Sequence, residues 1–109
     1  MKQNEFSSNE LSLEAMEWVT HLYSHLKMKF KGAGTIRNYC GELTLLLKYY
    51  HFKTVEQITE QDIRNYMLYI QEVHKVGRAK CRSVASACSY FFKHVIKRPY
   101  ATYSHLHKY

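Results

Sequence analysis

The scarcity of helix breakers is the feature that most limits what this chain can fold into. One proline and four glycines occur in 109 residues. A sandwich or barrel of short strands needs frequent turns, and turns are built mainly from glycine, proline, asparagine and aspartate. Hydrophobic residues make up 46% of the chain, which is enough for a packed core. We therefore predict one all-α domain, a single compact bundle of four to five helices joined by short turns.

Apolar residues recur at helical spacing in four stretches of the chain. The predicted helices span about 11–27, 35–50, 59–74 and 79–96. Thr59 and Asp62, in the sequence "TEQD", resemble a capping box at the start of the third helix, and Pro99 stops the fourth. The predicted inward positions are Leu11, Ala15, Trp18, Val19, Leu22, Leu26, Ile36, Tyr39, Cys40, Leu43, Leu47, Tyr50, Ile63, Tyr66, Met67, Ile70, Cys81, Val84, Ala85, Cys88, Phe92 and Val95.

The two ends of the chain differ in character from this helical region. Residues 1–10 are polar, and we expect a flexible N-terminus there, followed by one domain over 11–98. No apolar run approaches the roughly 18 residues of a membrane span, and the start lacks the apolar segment of a signal peptide. We therefore expect a cytoplasmic protein that has no membrane partner.

Cysteine and histidine placement argues against a metal site or a disulfide framework. Cys81 and Cys88 are seven residues apart on one helix face, and with Cys40 they form an odd set without a CxxC pair. We interpret all three as small core residues. His21 and His25 lie four residues apart but have no third ligand nearby, so we predict no metal and no cofactor.

Charge is unevenly distributed along the chain. Residues 1–72 hold eight lysines and arginines against nine acids, whereas residues 73–109 hold eight lysines and arginines and no acid. The second segment therefore accounts for the whole formal charge of +7. Clustered positive charge on a folded domain attracts polyanions, which favours a nucleic-acid partner. An ordinary solvated basic face is the alternative interpretation.

Two helices combine cations with small polar residues. The second begins with Thr35, Arg37 and Asn38, where free N–H groups and the positive dipole end suit an anion, although Thr35 could simply be an N-cap. Gly41 in mid-helix costs roughly 1 kcal/mol relative to alanine, which indicates close approach of DNA or of a neighbouring helix. The polar face of the fourth helix comprises Arg78, Lys80, Arg82, Ser83, Ser86, Ser89 and Lys93. Hydroxyl groups between cations allow a helix to approach and bind phosphates, although such residues can also simply face solvent.

Three segments together resemble a known family. They are "TIRNYCGELTLLLKYY", "VEQITEQDIRNYMLYI" and "SVASACSYFFKHVIK", in that order. This ordered set is similar to the N-terminal SAM-like core-binding domain of the tyrosine recombinase (phage integrase) family, over roughly residues 11–98. The sequence departs from the family pattern at Gly32 and Lys80, where serine or threonine is common.

The resemblance implies a helical domain that forms half of a clamp around duplex DNA, through its second and fourth helices. It implies no catalytic residues here, because the family's nucleophilic tyrosine lies in a separate C-terminal domain, so Tyr103 and Tyr109 are poor candidates. Residues 99–109 would begin the linker to that domain. The implied partners are double-stranded DNA and neighbouring protomers of a recombinase tetramer, in the bacterial cytoplasm at the nucleoid, and no small-molecule substrate is expected.

Charge, helix position and resemblance together predict a DNA-binding surface. Its residues are Lys31, Thr35, Arg37, Asn38, Lys48, Arg78, Lys80, Arg82, Ser83, Ser86 and Lys93. The alternative is a helical protein-interaction module with an incidental basic surface. In that case surplus apolar residues of the first helix, Leu13, Met16 and Tyr23, would contact a protein partner.

Overall fold

Four α-helices make up most of residues 11–97, the part of the chain that the computed structural model describes. They are α1 (Leu13–Met28), α2 (Ala33–Tyr49), α3 (Glu60–Val73) and α4 (Arg78–Tyr90). A short 3-10 helix, Val55–Gln57, precedes α3, and a π-helical turn, Phe91–Val95, continues α4. Residues 11–97 contain no strand, so the predicted all-α class is confirmed. The predicted flexible N-terminus, the stop at Pro99 and the linker segment lie outside the described residues.

The starts of α1 and α3 are closed by their own side chains. Ser12 accepts a hydrogen bond from the Ala15 N–H at 3.0 Å, so α1 begins at Leu13 rather than at Leu11. The capping box predicted at α3 is confirmed. Thr59 Oγ1 accepts from the Asp62 N–H at 3.1 Å, and the Asp62 carboxylate accepts from the Thr59 N–H at 3.0 Å.

Asp62 also ties α3 to the preceding loop. Its carboxylate accepts a hydrogen bond from Lys53 Nζ at 2.6 Å. Burial alone would raise the pKa of Asp62, but the hydrogen bonds from Lys53 and Thr59 and the Lys53 charge together lower it. A depressed pKa in the folded state means that this stabilisation is present above the ordinary aspartate pKa and is lost as the pH falls through the lowered value.

The predicted start of α2 is wrong. The helix begins at Ala33, and its N-cap is Gly32, whose backbone is extended (φ −71°, ψ 160°). Thr35 therefore lies inside the first turn and is not the N-cap. Threonine is favoured over alanine as a cap, but a glycine with extended geometry can also occupy that position, and here it does.

The core lies where α2 packs against α4 and α1, and where the π-helical turn after α4 packs against α1. The rings of Phe91 and Trp18 meet edge to face with centroids 5.8 Å apart, which fixes the end of α4 against α1. The residues with no exposed surface include Leu22, Leu26, Leu43, Leu46, Ile58, Ile63, Met67, Val84, Cys88, Phe91 and Phe92. Several predicted inward residues are only partly buried, namely Leu11, Trp18, Val19, Tyr39, Cys40 and Val95.

The cysteines act as packing residues. Cys81 and Cys88 are buried as predicted, Cys40 is half-buried, and all three are free thiols. Burial, with a smaller contribution from the charge of Glu42, raises the pKa of Cys88 to about 12. Because the thiolate is the reactive form, this thiol is chemically inert at neutral pH.

One predicted polar-face residue of α4 is misplaced. Ser89 is 2% exposed and therefore belongs to the core. The reason is that α4 is covered by other elements along more of its circumference than a surface helix is, with Cys81, Val84, Ala85, Ala87, Cys88 and Ser89 all buried. Only a narrow strip of the helix is left to face solvent.

Candidate nucleic-acid interface

The helices of this domain begin in two different ways. The first turns of α1 and α3 contain the acids Glu14, Glu60 and Asp62 in addition to their side-chain caps. In contrast, α2 and α4 start from Gly32 and Gly77, with no capping side chain and no acid in the first turn. The first N–H groups of a helix have no partner within the helix, and the helix dipole is positive there. At α2 and α4 these groups stay available to an anion from outside the domain.

An open groove of about 700 Å³ joins the exposed face of α2 to the first turn of α4. Gly34 in the first turn of α2 and Lys80 in the first turn of α4 both line it, whereas Gly77 and Arg78 at the very start of α4 line a separate cleft. Arg37, Asn38 and Gly41 also line it. The structure thus brings together three residues of the predicted set, Arg37, Asn38 and Lys80.

Gly41 lies in the groove with open space above it. A methyl group built at its Cα meets no atom within 4 Å. Packing against a neighbouring helix therefore does not explain this glycine, and that interpretation was wrong. Since a mid-helix glycine costs roughly 1 kcal/mol relative to alanine, the open face of α2 carries a penalty that nothing within the described fold offsets.

An ion pair between Glu42 and Lys80 forms one wall of the groove. Lys80 Nζ donates to Glu42 Oε2 at 2.7 Å. The Glu42 side chain is only 5% exposed, and its second oxygen, Oε1, is buried without a hydrogen-bond partner among the described residues. The predicted contact residue Lys80 is therefore already held and partly neutralised by the protein itself.

Sequence reasoning missed Glu42 altogether. Leu46, four positions further along α2, was also absent from the predicted core, and it is fully buried. Residues four apart share a helix face, so the buried face of α2 is wider than the apolar stripe alone indicated. The sequence signal for a buried Glu42 was an acid next to the apolar stripe of one helix together with a basic residue on a neighbouring helix.

Arg82 points away from the groove that Lys80 lines. Two positions along a helix correspond to a rotation of about 200°, so Lys80 and Arg82 face different directions. Arg82 is exposed, whereas Ser83 and Ser86 are half-buried. Arg78 is exposed at the start of α4 and lines a small cleft beside Gly77. These side chains surround the start of α4 but do not join Arg37 and Asn38 in one groove.

The basic surface continues from Arg37 toward the far end of α4. Thr35 is exposed in the first turn of α2. Lys31 and Arg37 both line a cavity of about 300 Å³ next to α1. Burial is the main cause that lowers the pKa of His94, and the positive charges of Lys93, His25, Lys29 and Lys31 lower it further. Lys31 and Lys93 are therefore both close enough to His94 to act on its charge. Lys48 lies elsewhere, at the rim of a cavity near the end of α2.

Other kinds of site find less support in the described residues. Within residues 11–97, no group of three or more histidine, cysteine, aspartate or glutamate side chains is placed to hold a metal ion. No helix in that range is both long enough and apolar enough to cross a bilayer. On α1 the side chains of Leu13, Met16 and Tyr23 are exposed, as the protein-interaction alternative requires.

The fold and the groove define a small all-helical domain with an uncapped, cation-bearing helix pair. Residues 18–102 match the family described as phage integrase, N-terminal SAM-like domain. Because this match spans most of the chain, the chain belongs to that family. Comparisons with curated proteins and with solved structures returned no match.

Proposed function

We propose that this domain binds duplex DNA as the core-binding part of a tyrosine recombinase. One observation carries the proposal: α2 begins without a cap or an acid beside a groove that contains Arg37 and Asn38 and that reaches Lys80 in the first turn of α4, which is also uncapped. Helix starts of this kind bind phosphate through their free N–H groups. Membership of the integrase family supports DNA rather than another polyanion as the partner.

The groove offers three complementary contacts to a phosphate backbone. The free N–H groups of the first turn of α2 donate to one phosphate. The Arg37 guanidinium can donate two parallel hydrogen bonds to another, and the Asn38 amide can both donate and accept. Gly41 lets the duplex approach the helix closely, because it has no side chain to hold the backbone away. Each contact fixes position and orientation on the duplex rather than reading sequence.

We assign weaker contacts with the duplex to the remaining predicted residues. They are Lys31, Thr35, Lys48, Arg78, Lys80, Arg82, Ser83, Ser86 and Lys93. If about five phosphates are neutralised in total, the logarithm of the association constant should fall with the logarithm of salt concentration at a slope of about −4.5. Nonspecific dissociation constants of roughly 10⁻⁴ to 10⁻⁶ M are expected for such a surface.

We assign strand cleavage to a separate catalytic domain of the parent protein, so this domain positions DNA and does not cut it. The parent is inferred to be a recombinase of a mobile element that acts at the bacterial nucleoid with other protomers. Nothing in the groove resembles the cluster of preorganised cations and acid–base groups that stabilises a phosphoryl-transfer transition state.

A second candidate function rests on α1. Leu13 is 77% exposed and Met16 is 44% exposed, and residues three apart lie on the same side of a helix. These side chains could bind a protein partner through an apolar contact. Such binding would be insensitive to salt, whereas binding to DNA weakens steeply as salt rises.

Two arginine variants test the proposal, because each removes one positive charge but only one of them changes the groove. Arg37→Ala removes a groove cation, while Arg64→Ala removes an arginine of α3 whose side chain is 45% exposed and pairs with Glu60. In a duplex titration followed by fluorescence anisotropy at several salt concentrations, Arg37→Ala should weaken binding about tenfold at low salt and reduce the salt slope by about 0.9. Arg64→Ala should bind as the wild type does. Equal titrations for Arg37→Ala and the wild type, or equal losses in both variants, would contradict the proposed surface.

A further inference from the structure

A second cavity, of about 570 Å³, opens near the end of α2, where α3 and the start of α4 meet it. Three tyrosines line it, Tyr49 from α2 with Tyr66 and Tyr69 from α3. Its volume falls within the roughly 300–1,000 Å³ typical of small-molecule sites, and ligand sites combine such aromatic walls with a few polar groups. The predicted DNA surface does not account for these tyrosines.

The tyrosine rings form a wall that is already assembled. The Tyr49 and Tyr69 ring centroids are 4.6 Å apart with planes inclined at 37°, and Tyr49 is 5.2 Å from Tyr66. Tyr66 is buried, and burial strongly raises its pKa, so its ring stays a neutral phenol. Tyr49 and Tyr69 are only partly buried and leave ring surface open to the cavity. A flat aromatic ligand could therefore bind without rearranging the wall.

The rim of the cavity is cationic. Lys48 and Lys80 line it together with the imidazoles of His51 and His74, and none of the side chains that line it is acidic, although Glu42 lies next to it as the partner of Lys80. The Lys48 ammonium is exposed and is not the Glu42 partner, since that role belongs to Lys80. Leu45 and Lys80 line both this cavity and the groove beside Arg37. The two sites are thus continuous along α2.

We propose that this cavity binds one unstacked base of single-stranded nucleic acid. The base stacks on Tyr49 and Tyr69, and its phosphate lies at Lys48. Aromatic platforms beside a positive groove are the combination by which proteins bind single strands, because every base has a face that stacks. A paired base within a duplex keeps that face covered by its neighbours. An apolar side chain of a protein partner would use the rings but not the cationic rim.

The proposal builds on the proposed DNA function, because the cavity is reached along the same face of α2. The test therefore uses two fluorescent probes with the intact chain at low salt: a single strand of eight thymidines and a hairpin duplex of eight base pairs. Tyr69→Leu removes a ring and keeps apolar bulk. Val76→Phe fills the cavity from its edge, since Val76 lines it and is partly exposed. Leu68→Ala is the control, because Leu68 is 51% exposed on α3 and outside the cavity.

Tyr69→Leu and Val76→Phe should each weaken single-strand binding about tenfold, the effect expected for one stacked base, and should change duplex binding less than twofold. Leu68→Ala should change neither. Thermal unfolding reports whether each variant is folded, and if Tyr69→Leu does not fold, Val76→Phe decides. Unchanged single-strand affinity in the folded variants overturns the proposal and is the result expected if a protein partner fills the cavity. Equal losses for strand and duplex also overturn it.

The wild-type chain separates this proposal from the duplex proposal. Binding of the hairpin with no binding of the single strand overturns the single-strand site and leaves the duplex surface standing. Binding of neither probe overturns both. Binding of the single strand alone, with loss in the Tyr69→Leu and Val76→Phe variants, supports the cavity and contradicts the duplex surface.

Discussion

The starts of α1 and α3 differ from those of α2 and α4. Ser12 and Thr59 close the first pair, with acids in the first turn that suit the helix dipole. Gly32 and Gly77 leave the second pair open. A glycine cap is a few tenths of a kcal/mol less stabilising than serine or aspartate, so stability alone would favour closing all four. On the proposed function, two helix starts serve the fold and two are left for a partner.

The open start of α2 is also connected to the first turn of α4. One groove runs along α2 from Gly34 to Lys80, and α2 packs against α4 more extensively than any other pair of elements does. We therefore expect changes at the open starts to affect binding more than folding.

The largest expected effect comes from closing the open starts with a negative charge. At Gly32 and Gly77 the backbone is extended and a Cβ would meet no atom within 4 Å, so Gly32→Asp and Gly77→Asp are compatible with the fold. Each should weaken duplex binding about tenfold and the pair about 100-fold at low salt, because a carboxylate now occupies the anion site. The free energy of unfolding should stay equal or rise by a few tenths of a kcal/mol.

The matched controls are Gly32→Asn and Gly77→Asn, which add a cap of the same size without the charge. Anisotropy titrations give the affinities and urea unfolding gives the stabilities. Asp variants that bind the duplex as tightly as the wild type would show that the open starts do not bind phosphate, and a larger loss for Asp than for Asn would isolate the effect of the charge.

A smaller effect, on the free energy of unfolding, is expected at the Glu42–Lys80 ion pair that forms one wall of the groove. Lys80→Ala leaves the Glu42 carboxylate buried without its partner and should lower the free energy of unfolding by about 2 kcal/mol. Lys48→Ala removes an exposed lysine of α2 and should change that free energy by less than about 0.5 kcal/mol. Urea unfolding of the two variants measures the difference. If Lys80→Ala is as mild as Lys48→Ala, Lys80 is a free surface cation and not a structural one.

The smallest expected effect concerns the exposed face of α2. Gly41→Ala should raise the free energy of unfolding by about 0.5–1 kcal/mol, because the added methyl group meets no atom within 4 Å and alanine favours the helix. The same change should weaken duplex binding by holding the phosphate backbone away from the helix. Ser24→Ala, at an exposed position of α1, gives a gain in helix propensity outside the groove and serves as the control. A Gly41→Ala protein that is more stable and binds DNA as tightly as before would remove the functional explanation for this glycine.

Sequence reasoning predicted those features that depend on local chemistry. The all-α class follows from helical periodicity and from the scarcity of breakers, and the Thr59–Asp62 capping box follows from four consecutive residues. The buried positions of Cys81 and Cys88 follow from a single repeating face. The DNA-binding residues stay a prediction.

The errors concern features that depend on neighbouring elements. Ser89 was placed outward because its polarity and spacing fit a solvent-facing stripe, yet coverage of α4 from several sides buries it. Glu42 was overlooked because an acid in a helix is ordinarily a surface residue, and only the nearby Lys80 of another helix makes its burial tolerable. The first residue of α2 was misjudged because glycine, which has no side chain to cap with, took the N-cap position.

The most direct test of the central claim is a titration of the isotopically labelled domain with a 16-base-pair duplex, followed by backbone amide chemical shifts. The claim is that the open starts of α2 and α4, with the groove between them, form the DNA surface. It predicts the largest shift changes at residues 33–45 and 77–83, with little change along α3. Shift changes concentrated on the exposed side of α1 or on α3, or a spectrum that the duplex leaves unchanged, would contradict it.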